Sequence, residues 1–557
     1  MKKLLWTTLL VVTFFAFYAV SASAVVNDTV KVGLKYGSGA LFSANLENAV
    51  GSGYEFGYFD ADRDFVALGE TEETTLSMTA AGTIYMNSSG VYSDAVPAGS
   101  YRVLGAYHAQ LDGFGSFEEA QEEAQNHDDA YPAYISGEYV VRVGCYADRD
   151  EAEDMAADIG GEAVKSGSTG VLVTCTKSTE VLFEFDCQGA VNLGVLPQSR
   201  RESAVTWFKG YKYYGGFEYV RVTGGSLNVI NVVELEDYVK GVVPYEMPGD
   251  WPLAALEAQA VCARNFVCRT TKHLSLYGFD VCNTTDCQVY YGVGNGSVYP
   301  SERSDEAVEN TAGVCMYYDG ELVEAVYHSS DGGATEDAAN VWGSEVPYLK
   351  GKADPYEAMT TIPNYGYTVT YTMAELTWVL QNSGYSIGTV EDVIISEQTA
   401  QGNVYKVTFV DTSGRTLTVK GDDARMAFYS TTYGKNVRSL RFEIVGGSSG
   451  SGGSCYVNGT GNRLSSLDGV SVISGSGTVS QLTGDSASVV TASGTGTVTA
   501  GGGNNGTSGV RNGSLTIIGT GNGHNVGLSQ YGAKAMAEQG YDYQDILEFY
   551  YTDVTVG

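Results

Sequence analysis

Short alternating runs of apolar and polar residues, cut by Gly, Ser and Asn, fill the chain from residue 25 to 98 and predict strands such as 29–36 and 83–92. No chemistry attaches to that stretch. From residue 99 the period changes. Residues 101–108 read as a strand, and 116–126 as a helix with Ser116 as its cap and Glu119 in the capping-box place. Strands at 131–135 and 138–144 follow, joined by a Ser-Gly turn. A second helix spans 148–159, with Ala152, Met155, Ala156 and Ile159 on one face, and a strand at 171–176 closes the series. The order is β-α-β-β-α-β, that of a ferredoxin-like split unit.

Beyond it, 207–230 is again β-rich. A helix is predicted at 373–382, then strands at 393–397, 404–410 and 416–420. Residues 446–515 are dominated by Gly, Ser, Thr, Val and Asn and read as a surface insertion, though 470–473 and 488–491 alternate enough for strands. Two helices, 528–538 and 543–551, are separated by Gly540. The fold class expected is α+β, a β-rich core with helical segments preceded by the βαββαβ unit.

The stretch 242–266, VVPYEMPGDWPLAALEAQAVCARNF, carries the clearest candidate chemistry. Glu246 stands between Pro244 and Pro248. Proline fixes its own φ and biases the preceding residue away from the helix, so PYEMP is expected to be stiff and extended. Val242, Val243, Tyr245, Met247 and Trp251 crowd the acid with apolar surface. Such surroundings strip hydration from a carboxylate, raise its pKa and let it donate a proton near neutral pH. The alternative is a surface glutamate ahead of an ordinary helix. Asp250 and Pro252 mark the start of that helix, along which Leu253, Leu256, Ala260, Ala263 and Val267 recur at helical spacing.

Charge and cysteine content narrow the setting. Acidic residues outnumber basic ones by 66 to 32, for a formal charge of −34. With no run of Lys and Arg, nucleic acid is excluded as a partner. Lys2 and Lys3 precede an apolar run to Val20 and an Ala-x-Ala site ending at Ala24, so residues 1–24 read as a signal peptide of an exported protein. The other reading is an uncleaved membrane anchor. Nine cysteines is an odd number, so at least one thiol is free, shared between chains or bound to metal. His273, Cys282, Asp286 and Cys287 form a plausible N/S/O set for one zinc ion. A Cys282–Cys287 disulfide across the short loop is the competing reading.

Several separated motifs together resemble the SpoIID/LytB family of exported sporulation and cell-wall proteins. They are VELEDYVKGVVPYEMPGDWPLAALEAQAVCARNF (233–266), CNTTDCQVYYG (282–292), YHSSDGGATEDAANVW (327–342), GRTLTVKGDDAR (414–425) and GNGHNVGLSQYGAKAMA (521–537). The segment YVVRVGCYADRDEAEDMAADI resembles the SPOR repeat, a glycan-binding domain. The resulting division is 1–24 signal peptide, 25–98 β-rich region, 99–186 SPOR-like domain, 205–445 with 516–557 the SpoIID/LytB domain, and 446–515 insertion.

The resemblance implies a lytic transglycosylase acting on peptidoglycan glycan strands stripped of peptide, with Glu246 as acid/base. The other role attached to such relatives is a non-catalytic wall-binding factor that enhances an amidase, which makes an amidase a candidate partner. It implies a cleft lined by Tyr327 and Ser329, with His524, Gln530 and Tyr531 as further substrate-binding candidates. His328, Gly332 and Gly333 offer an imidazole and a glycine turn suited to sugar binding. They read equally as an exposed strand histidine and a plain tight turn, and Gln530 and Tyr531 read equally as helix-start packing. Asp250, Asp331 and Glu336 stand as candidate second acids. Two positions depart from the family pattern. Asp286 replaces a histidine at the metal set, and Glu257 replaces a basic residue, putting a negative charge near the expected cleft.

Overall fold

The computed structural model describes residues 28–199, 203–270, 272–296, 300–445 and 513–557, with the backbone of short strand pieces between 455 and 511. The leader at 1–24 and most of the 446–515 tract lie outside the described residues. The chain is mixed α/β with more strand than helix, 22% helical and 37% strand.

Two large sheets carry the N-terminal half. In one, the strands run in the order Val281–Cys282, Thr29–Lys35, Leu227–Glu234, Gly216–Arg221, Leu193–Pro197, Tyr54–Phe59 and Phe65–Thr71. Thr29–Lys35 pairs antiparallel with Leu227–Glu234 and parallel with Val281–Cys282. The first strand is therefore built into the sheet that leads to the metal-set cysteines, and the division expected at residue 98 does not separate sheets. Local alternation predicts such a strand but not a partner some two hundred positions away.

The second sheet has ten strands and contains the β-α-β-β-α-β order, with two corrections. The first strand of the unit is Tyr107–Phe114, since Tyr101–Leu104 pairs elsewhere, with Ile84–Asn87. The last is Glu162–Lys165, against Tyr107–Phe114, whereas Val171–Cys175 pairs with Val181–Asp186 and Thr75–Ala80. Spatially the four strands run fourth, first, third, second, every neighbour antiparallel. Helices Phe117–Ala124 and Arg149–Ile159 cover them, capped by Ser116 and Asp148 side chains. A small core of Ala109, Ala120, Ala124, Val141, Val143 and Ala156 fills the space beneath. The sheet then continues through Val181–Asp186, so the unit is not free-standing.

Helix Leu253–Arg269 is the axis of the remainder. Its predicted apolar face is buried, but so are Gln259, Arg264 and Asn265. Burial of Arg264 and Asn265 is tolerated because they are paired, whereas Gln259 is bonded through Oε1 with its Nε2 left without a partner. Arg264 donates to both oxygens of Glu236 at 2.9 and 2.6 Å and to Val314 O, and Asn265 brackets the backbone of Met316 and Val323. Helices Glu302–Asn310, Gln530–Glu538 and Tyr543–Tyr550 pack round it. The helix at 373–382 and the strands at 404–411 and 416–420 form as expected, the former with a Thr372–Glu375 capping box.

Candidate functional site

Glu246 ends a helical turn, Val243–Glu246, with Pro244 in the first turn, where its missing N–H costs nothing. This corrects the extended reading of PYEMP. Only Met247, directly before Pro248, is extended, at φ −130° and ψ 135°. The turn aims the half-buried Glu246 side chain against the central helix.

Three donors converge on that carboxylate. Val289 N donates to Oε1 at 3.3 Å, Gln530 Nε2 donates to Oε2 at 3.2 Å, and the Tyr327 hydroxyl supplies a third bond. Burial pushes the Glu246 pKa up, and the three donors pull in the opposite direction without cancelling it. Behind them runs a chain of further bonds. Gln530 Nε2 also donates to Gln259 Oε1 at 3.2 Å, Gln288 Nε2 to Tyr327 Oη at 3.1 Å, and Tyr238 Oη to Gln288 Oε1 at 2.9 Å. Burial raises the Tyr327 phenol well above its ordinary range, so it stays a donor. Gln259, Gln288, Val289 and Tyr238 are not foreseen as site residues. Both glutamines stand in quoted motifs, AQA and CQVYY, where the alanines and the cysteine draw the attention.

The strand pairing that delivers these groups is short. Tyr327–His328 lies parallel to Leu528–Ser529, which carries Gln530 to the acid's side at the start of helix Gln530–Glu538. Tyr531 follows, its ring 4.8 Å from Trp251 and its N–H donating to Ser329 O at 3.1 Å. The partly exposed Tyr531 thus packs on Trp251, and Ser329 meets it through its backbone. His328 points away from Tyr327's side. It is buried, not exposed, with Nδ1 on Val526 O and its ring 5.3 Å from His524, which in turn lies 5.1 Å from Trp342. Neither histidine bonds to Glu246. Gly332 and Gly333, at φ 76° and 114°, form the tight turn, their N–H groups held by Glu357 and Asp331.

The candidate second acids are occupied elsewhere. Glu336 accepts from Asp337 N, Asn340, Thr399 and Asn403, while Asp331 lies in a buried cluster with Asp354 and Glu357. Asp250 is exposed and is not among the groups bonded to Glu246. Glu257 faces away, taken by Asn310 Nδ2 at 2.8 Å on the neighbouring helix, so its charge is not among the contacts of Glu246.

The metal set does come together. One ligand atom each of His273, Cys282, Asp286 and Cys287 lies within 4.8 Å of the others. His273 Nε2 is 3.3 Å from Cys287 Sγ and 3.5 Å from Asp286 Oδ2. Both thiols are free, so the disulfide is not formed. The two thiols act on each other: Cys287 holds Cys282 down to about 4 and is itself driven up by it. One imidazole, two sulfurs and a carboxylate fit the donor chemistry of zinc. Asp286 is the weakest member, being exposed and bound by Lys272 Nζ at 2.6 Å. Tyr36, at the end of the first strand, packs 5.8 Å from His273 and bonds to Cys282, a contribution not foreseen from residues 25–98.

The family model for SpoIID, Stage II sporulation protein, matches residues 223–318, which take in Glu246 and the metal set. An uncharacterized protein of Brachyspira hyodysenteriae is 30% identical over 351 residues, covering 62% of this chain and 73% of that protein. The amidase enhancer of Bacillus subtilis is 31% identical over 333 residues, 57% of this chain, and the chain spans only 40% of its length. Stage II sporulation protein D of Bacillus subtilis is 27% identical over 330 residues, 57% of this chain and 73% of that protein. With the family model and these relatives in agreement, the chain is a member of the SpoIID/LytB family.

Proposed function

We propose that the protein is an exported lytic transglycosylase that cleaves peptide-stripped glycan strands with Glu246 as its single acid/base. The observation that carries this reading is a half-buried carboxyl with a raised pKa, whose bonding partners among the described residues are amide and hydroxyl donors and include no acid. Hydrolysis by the usual two-carboxylate route needs a partner acid about 5–10 Å away. An intramolecular route needs one group only. The neutral acid protonates the glycosidic oxygen as that bond breaks. Its conjugate base then takes the C6 hydroxyl proton while O6 closes an anhydro ring on C1. Tyr327 and Gln530 receive the charge that appears on Glu246 between the two transfers.

Zinc, where bound, would be held by His273 Nε2, Cys282 Sγ, Cys287 Sγ and an Asp286 oxygen, and would supply a rigid cross-link. That cross-link would fix the loop leading directly into Gln288 and Val289, two residues that orient the acid. The four antiparallel strands and two helices at 107–165 support a SPOR-like role in holding glycan strands. The leader supports export, with retention at the wall or, uncleaved, at the membrane.

Incubation of denuded glycan strands with wild type and Glu246→Gln, followed by mass spectrometry, tests the reading. Anhydro-muramic ends from wild type alone are expected, with at least about a hundredfold loss in the variant. Reducing ends would mean hydrolysis. Absence of cleavage by either protein would remove the enzyme reading in favour of amidase enhancement, the role that the name of the 31%-identical Bacillus subtilis relative favours.

A further inference from the structure

Behind the Tyr327–Gly333 segment lies a second carboxylate cluster that the proposed chemistry does not use. Asp331, Asp354 and Glu357 are 0%, 4% and 2% exposed, and one oxygen of each lies within 4.8 Å of the others. Among the described residues no Lys, Arg or His forms an ion pair with any of them. Lys352 gives its ammonium to Phe549 O. Arg441, which passes Gly333, gives its guanidinium to Gln401 O and Asn403 Oδ1.

The hydrogen bonds divide the three acids. Glu357 accepts four, from Ser330 Oγ, Asp331 N, Gly332 N and Ser529 Oγ. Asp354 accepts three, from Tyr356 N, Glu357 N and Tyr550 Oη. Donors aimed at a carboxylate favour its charged form. The three buried carboxyls thus have donors but no positive charge beside them among the described residues. Asp331 accepts from Gly333 N through Oδ1, while its Oδ2 is buried and receives no donor, and the side chain faces the Asp354 carboxyl.

From this we propose that Asp331, Asp354 and Glu357 bind a hard divalent cation, Ca2+ by preference. An all-oxygen set with no sulfur or imidazole suits Ca2+ or Mg2+ rather than zinc. A divalent cation would supply the counter-charge that no described Lys, Arg or His provides, and Asp331 Oδ2 is the ligand left without a donor. Backbone carbonyls and waters would complete the roughly six to eight oxygens Ca2+ takes, which is easier to meet here than the strict octahedron of Mg2+. The ion would tie together the turn after Tyr327, the loop 354–357 and Ser529, the cap residue preceding Gln530. It would thus fix both side-chain donors to Glu246 from behind. Cation binding stands apart from the question of whether Glu246 cleaves glycan.

The whole chain, stripped with EGTA, is titrated with Ca2+, Mg2+ and Tb3+. About one Ca2+ per chain by elemental analysis, a higher Tm with Ca2+ and tyrosine-sensitised Tb3+ emission displaced by Ca2+ are expected. Asp331→Asn should weaken Ca2+ at least about tenfold, while Cys282→Ser, which removes a zinc ligand, should leave the response intact. Wild type that retains no divalent ion and shows no change in Tm would overturn the proposal, whatever the folding of the variants. So would an unchanged response in folded Asp331→Asn.

Discussion

Replacing Tyr327 by Phe removes one of the three donors to Glu246 while keeping the ring in place. The bonds from Val289 N and Gln530 Nε2 are long, at 3.3 and 3.2 Å, so neither is placed to compensate fully. A hydrogen bond to a charged group contributes about 1.5–3 kcal/mol, and one pH unit corresponds to about 1.4 kcal/mol, so the Glu246 pKa should rise by about one to two pH units. The sign follows from which form the phenol favours. It bonds the carboxylate, so its loss favours the protonated acid, and a group that must enter the reaction protonated stays competent to higher pH. The alkaline limb of the cleavage profile should therefore move up, with a lower maximum because the charge formed on Glu246 is less well received. Gln288 Nε2 also loses its acceptor at 3.1 Å, at a stability cost of about 1 kcal/mol. A carboxyl 13C titration, with the Glu246 signal identified by its absence in Glu246→Gln, reads the same shift without relying on activity. A midpoint that stays put or falls would refute the assignment of Tyr327 as a donor to the acid.

Two further predictions concern the flanks of the site. Anaerobically purified protein should carry about one zinc per chain, lost in Cys282→Ser together with several degrees of Tm; zinc-free protein with a linked Cys282–Cys287 peptide would replace the metal by a disulfide. His524 is held down to about 4 by burial and then by Arg425, and His328 is held well below its ordinary value by burial and then by His524. Histidines depressed in the folded state stabilise it above their unfolded value near 6.5, and that stability is lost as pH falls. His524, partly exposed, accounts for at most about 3 kcal/mol of it by pH 4. The gap in unfolding free energy between wild type and His524→Asn should shrink steadily from pH 7 to pH 4.5, and a gap independent of pH would show that the ring's protonation does not matter.

What was legible in the sequence was the local pattern and the apolar setting of Glu246; what was not was where that carboxyl's partners come from. The apolar spacing of Leu256, Ala260 and Ala263 gives the central helix correctly. It says nothing of Gln259, Arg264 and Asn265, because a polar residue in an apolar run is buried only if a distant group pairs with it, and Glu236, Met316 and Gln530 are supplied by the fold. The same limit explains the PYEMP error. Two prolines read locally as stiffness, yet Pro244 falls in the first turn of a helix, the one place where a helix accepts it. Nor does motif membership say which residues meet the carboxyl: the glycines of YHSSDGG are held by Glu357 and Asp331, and the two histidines pack on each other.

Glu246 itself shows why a site of this kind is hard to read from a linear chain. A solvated glutamate has the same residue type and the same local sequence. What sets this one apart is that Val289, Tyr327 and Gln530, the last 284 positions away, are donors to its half-buried carboxyl, while burial raises its pKa. Each donor arrives on a separate anchor. Val289 follows the metal-set loop, Tyr327 pairs with Leu528, and Gln530 opens a helix whose cap, Ser529, bonds Glu357. Loosening any one anchor should alter the acid's pKa without touching the acid, which is the signature that separates positioning from chemistry in this cleft.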